Sequence, residues 1–130
     1  MSKMYNRANV ALDLAKMALN KVVMDDAYLD LACFNTQQAM EFLIKAILEE
    51  NGKTYDKTHN IRYLLELLKG TGFAFDKMED LENISDTITQ WEEKSRYGKG
   101  VKTMVQTVQR VHNLYENLNE AYLCVQEKNN

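Results

Sequence analysis

The chain has 130 residues, of which 45% are apolar and 27% charged, with no proline and a formal charge of −3. A chain of this length buries a core without help from metals or disulfides, and this composition excludes an intrinsically disordered protein. Its acidic balance, with Lys and Arg spread along the chain, argues against a dedicated duplex-DNA binder, which carries a basic patch.

A first segment, roughly 4–24, carries Tyr5, Ala8, Leu12, Ala15, Leu19 and Val22 at steps of three and four, one face of a helix. The stripe would need an apolar residue at 26, where Asp26 stands, so Asp25 or Asp26 is expected to cap a new helix. That second segment, roughly 27–51, has a main stripe of Ala32, Ala39, Met40, Leu43, Ala46 and Ile47. It also carries Leu31, Phe34 and Phe42 on the opposite side, which predicts a central helix packed on both sides. Asn51-Gly52 is its natural left-handed exit.

After a polar loop over 53–58, Thr58 is expected to cap a short third helix running to Lys69, with Ile61, Leu64, Leu65, Leu67 and Leu68 as its apolar residues. Gly70-Thr71-Gly72 ends it. A looser segment over 76–94 predicts one helix or two short ones, with Leu81, Ile84, Ile88 and Trp91 inward, and Gly98 and Gly100 bracket the next turn. The last helix has an unbroken seam of Val101, Met104, Val108, Val111, Tyr115, Leu118, Tyr122 and Val125, suited to a bundle or to a second subunit. The expected fold is therefore all-α, an up-and-down bundle of about five helices, with residues 1–130 forming a single domain.

Cys33 and Cys124 are too few and too far apart for a disulfide framework or a zinc site. The start MSKMYNRANVALD has no apolar signal core, and no run approaches the roughly 18 apolar residues of a membrane span. A cytoplasmic protein with reduced thiols, no membrane contact and no metal or other cofactor is the expectation.

Chemistry-bearing residues are few. Gln37, Glu41 and Lys45 follow one another at i, i+4 on the central helix, on the side of Phe34 and Phe42. They read either as an intrahelical or interhelical ion pair or as the polar wall of a ligand groove. His59, with Arg62 one turn on, opens the third helix, where unpaired N–H groups suit an anion, although a lone histidine there also serves as a local hydrogen-bonding residue. Arg96-Tyr97, beside Gly98, is placed to cap a helix end, to pair with Glu41, or to hold a phosphate. Arg110 and His112 point about 200° apart on a helix and do not share a substrate within one chain, so His112 reads as a core-edge or interface residue. No phosphate-binding glycine loop, zinc-protease helix or nucleophile elbow is present.

The stretch CFNTQQAMEFLIKAILEENGKTYDKTHNIRYLLELL, with WEEKSRYG later, resembles the HEPN family, the nucleotide-binding domain of higher eukaryotes and prokaryotes. The matching positions are Gln37, Gln38, Ala39, Glu41, Lys45, Ala46, Gly52, His59, Leu64, Leu65, Leu68, Arg96 and Tyr97, in order over nearly the whole chain. The resemblance implies a helical bundle, commonly a homodimer, often encoded beside a minimal nucleotidyltransferase. It also implies, for many members, a metal-independent ribonuclease site: an Arg, four to six variable residues, then a His on a late helix at the dimer interface. Here no His follows Arg96 until His112, and Arg110 stands too close to it, so that motif is absent. The likeness is to the branch without it, for which binding of a substrate or nucleotide beside a transferase is implied.

Three functions follow as expectations. The first is a non-catalytic module binding a nucleotide or other anionic ligand through Gln37, Glu41, Lys45, His59, Arg96 and Tyr97. The second is a structural or regulatory dimerisation partner of the toxin–antitoxin kind. The third is a ribonuclease with a displaced site built from Arg96 and His59 or His112. A homodimer is expected from the terminal seam and the doubly apolar central helix.

Overall fold

The computed structural model describes residues 2–91 and 100–129, which form five helices and, among the described residues, no strand. They are α1 (Lys3–Asn20), α2 (Ala27–Glu50), α3 (Ile61–Gly70), α4 (Met78–Gln90) and α5 (Val101–Asn129). Each begins and ends where local chemistry allows. Ser2 accepts a hydrogen bond from the Tyr5 N–H at 3.1 Å and starts α1. The carboxylate of Asp25 accepts from the Ala27 N–H at 2.9 Å at the head of α2, while Asp26 makes no side-chain capping bond.

The exit of α2 is the expected one. Gly52 takes φ +67°, and the Gly52 and Lys53 N–H groups turn back onto the carbonyls of Glu49 and Leu48. The third helix starts later than Thr58 predicts. Asn60 is its cap, accepting from the Tyr63 N–H at 3.0 Å, and Thr58 instead accepts from the Asn60 N–H at 3.1 Å. The shift lets Ile61 enter the core as the first helical residue, fully buried.

One apolar cluster joins all five helices, with α2 in contact with each of the others. The predicted inward residues Leu81, Ile84, Ile88 and Trp91 are buried, as is the stripe of α1 apart from the half-buried Leu19. α1 and α2 form an antiparallel pair across the short turn at 21–26, and α3 and α4 pair through Lys69–Glu82 and Arg62–Asp86. α5 closes on α1 with polar pins. Tyr5 donates to Asn119 at 2.8 Å and Tyr115 to Asn9 at 2.7 Å, and the rings of Tyr5 and Tyr122 lie 5.5 Å apart.

Two expectations about faces change. From Met104 to Tyr122 the seam of α5 is buried within its own chain, which removes it as a surface for a second subunit. The second apolar side of α2 is not packed over: Leu31 is 50% and Phe34 40% exposed, because α1 lies alongside this face rather than on top of it. No described helix is long and apolar enough to cross a membrane.

Candidate functional site

α2 carries its polar residues into the bundle. Gln37, Glu41 and Lys45 are all buried, at 0%, 1% and 8% exposure. The i, i+4 spacing stacks them on one side of the helix, so the amide, the carboxylate and the ammonium meet without bending the backbone. Lys45 Nζ lies 2.9 Å from Glu41 Oε2, and Gln37 Nε2 donates to Glu41 Oε1 at 2.8 Å.

His59 comes to the same carboxylate from the loop before α3. Its Nδ1 is 2.8 Å from Glu41 Oε1, across 18 positions of sequence. A carboxylate accepts and does not donate, so Nδ1 carries the proton in this pair. The bond to Glu41 orients the ring, on a side chain that is 51% exposed. Glu41 thus holds three donors, the arrangement that makes a buried carboxylate tolerable.

Two further residues belong to this cluster. Gln38 Nε2 donates to Gln37 Oε1 at 3.0 Å and extends the polar chain toward the surface between α1 and α2. Tyr55 places its ring 5.4 Å from Lys45 Nζ, a cation–π contact, and donates its hydroxyl to Glu49. Burial and that bond push the Tyr55 phenol up to about 12, so it stays protonated as the donor. A lone aromatic in the polar loop 53–58 was the sequence signal for Tyr55, but nothing in helical periodicity points to a loop residue.

The anion site expected at the head of α3 is largely occupied. Arg62 is held bidentately by Asp86, with both N–O distances 3.1 Å. The Ile61 N–H donates to Thr89 and the Tyr63 N–H to Asn60. His59 therefore faces this edge without Arg62 beside it as a free cation. Arg96, Tyr97 and the turn residue Gly98 lie outside the described residues.

His112 is in a different place. It is 6% exposed on α5, with Nε2 2.7 Å from Thr36 Oγ1. Burial first, then the nearby Lys16, push its imidazole down to about 4 against a smaller opposite effect of Glu116, so it is neutral at physiological pH. Thr36 and Glu41, five residues apart, lie about 140° apart around α2. The two histidines thus sit on different sides of one helix and share no cleft.

Among the described residues no group of three or more His, Cys, Asp or Glu is placed to hold a metal ion. Compared with known families, the chain matches the model of the HEPN domain over residues 1–128. No curated protein and no solved structure matches it.

Proposed function

The chain belongs to the HEPN domain family, and on that premise we propose that it is a non-catalytic module that binds a nucleotide or another anionic ligand beside a minimal nucleotidyltransferase. The observation that carries this reading is the single hydrogen-bonded unit of Gln37, Glu41, Lys45 and His59, with its charged members buried and its imidazole half exposed. Lys45 neutralises Glu41, so the unit does not repel an anion, and a protonated His59 would attract one. In this reading His59 bonds the ligand, Glu41 positions the ring, Gln37 and Lys45 hold Glu41, and Arg96 and Tyr97 complete the set. Assembly as a homodimer and residence in the cytoplasm belong to the same proposal.

Calorimetry with ATP, GTP and a short RNA tests it. The expected result is saturable binding by one of them at or below millimolar concentration, weakened roughly 10- to 100-fold in His59→Ala, as loss of a hydrogen bond to a charged group implies. Absence of heat for all three ligands with folded protein overturns the proposal. Equal affinity of wild type and His59→Ala overturns the role of His59.

A second reading, a structural or regulatory dimerisation subunit, is favoured by the uncovered apolar side chains along α1 and α2. The displaced ribonuclease loses His112 as a candidate, since it is enclosed in the bundle, and would rest on His59 with Arg96.

A further inference from the structure

Of the eight large apolar residues exposed among those described, seven fall between Val10 and Phe34, and only Val125 lies elsewhere. They are not scattered. Along α1 and its C-cap, Lys3, Arg7, Val10, Leu14, Met17 and Lys21 follow at alternating steps of four and three, and all six are exposed. That stripe points away from the buried Ala8–Ala15 face. Leu31, Phe34, Gln38 and Phe42 continue the surface on α2. Between the two helices runs a groove of about 360 Å³ lined by Val10, Leu14, Phe34, Gln38 and Phe42, among others. Monomeric proteins seldom leave a contiguous apolar face of this extent in water.

The charges at its two ends differ in sign. Lys3 and Arg7 stand at the start of α1. The turn end carries Asp25, Asp26 and Asp30 against Lys21, whose ammonium lies 5.6 Å from the Tyr28 ring. Glu49 and Glu50 are also exposed, at the last turn of α2, where Glu49 accepts from the Tyr55 hydroxyl. A face with both signs, separated along its length, complements a copy of itself turned end for end. A nucleic acid, in contrast, would meet Asp13 and the three carboxylates of the turn end.

We propose that a second copy of the chain covers this face, with the α1–α2 pair of one protomer running antiparallel to that of its partner. The Lys3–Arg7 end of each then lies near the Asp25–Asp30 end of the other, and Val10, Leu14, Met17, Leu31 and Phe34 form the dry centre. An 18-residue helix is about 27 Å long, and two side by side make a rectangle of about 540 Å² per partner before corrugation. The total of about 1,080 Å² is smaller than a standard interface but clears the roughly 1,000 Å² that a specific one needs. The inference rests on the homodimer reading and names the surface that reading lacked.

Sedimentation of the full chain at tens of micromolar tests it, using wild type, Leu14→Glu, Phe34→Glu, Arg7→Glu and the double variant Arg7→Glu/Asp30→Arg. Wild type is expected at twice 15.1 kDa, and Leu14→Glu and Phe34→Glu as monomers with unchanged helical circular dichroism. Arg7→Glu is expected to raise the dissociation constant by about tenfold, with most of the loss recovered in the double variant. Arg7 is exposed, so its variant keeps the test valid if either apolar variant misfolds. A monomeric wild type overturns this inference and the homodimer reading together. A wild-type dimer that survives both Glu substitutions overturns the face and leaves the homodimer standing. A dimer that the apolar variants break but Arg7→Glu leaves untouched overturns the antiparallel arrangement.

Discussion

Glu41 and Lys45 offer the sharpest test of what holds the centre of the bundle. Their atoms meet at 2.9 Å, with side chains 2% and 11% exposed, so each charge depends on the other rather than on water. Replacing Glu41 by Leu leaves a buried ammonium with no counter-charge and deprives Gln37 and His59 of their acceptor. One-sided removal of a buried pair costs about 3–5 kcal/mol, a large part of the roughly 5–15 kcal/mol that stabilises a typical domain. Lys45→Met leaves the carboxylate with two donors instead of three, so its cost is expected at the lower end of that range, near 3 kcal/mol. Glu41→Leu with Lys45→Met removes both charges together. The double variant should lose at least about 2 kcal/mol less than the sum of the single losses, because the separate penalties of stranded charge vanish together. Urea melts of the four proteins, read as shifts in midpoint at constant slope, give the cycle without the screening that guanidinium adds. Single losses below about 1 kcal/mol, or strict additivity, would show that water reaches the pair and that the network is not what keeps α2 polar here.

His112 gives a pH signature of known sign. Its folded value near 4 lies below the ordinary 6.5, so the unfolded chain binds the proton more readily between those values. Stability is full above about pH 6.5 and falls as pH drops toward 4, by as much as about 3 kcal/mol from this group alone. Urea midpoints of wild type and His112→Gln, compared pH by pH, separate this from the carboxylates; parallel curves would refute it. At the head of α3, Asn60→Ala should cost about 1 kcal/mol and Thr58→Ala clearly less, since only Asn60 accepts from the helix. Thermal melts that rank them the other way would return the cap to Thr58.

The helices were legible because apolar residues recur at steps of three and four, without a break in α1 and α5, and because Gly52, Gly72 and Gly100 take the positive φ that ends or separates them. The cap of α3 was not, because Thr58 and Asn60 are both good capping residues and the choice is made by the burial of Ile61, a tertiary fact. The same division runs through the site. The line of Gln37, Glu41 and Lys45 follows from spacing within one helix. The arrival of His59 at Glu41 and the loss of Arg62 to Asp86 are contacts between segments 18 and 24 residues apart, which periodicity does not encode. Periodicity also showed that Leu31, Phe34 and Phe42 share a face without showing whether anything lies over it.

Around α2 the environments follow one another in a definite order, and that order links the two proposals. The core stripe holds it in the bundle, Thr36 meets His112 on one flank, and the polar unit occupies another flank beside the open groove. Gln38 stands on the boundary, lining the groove and donating to Gln37, which donates to Glu41, which in turn holds His59. A copy seated in the groove would remove water from the Gln38 amide, and a desolvated amide holds its remaining partners more firmly. The carboxylate that orients His59 would then be steadied from the assembly side. By reciprocity, whatever free energy dimerisation lends to ligand binding at His59, ligand binding returns to the dimer.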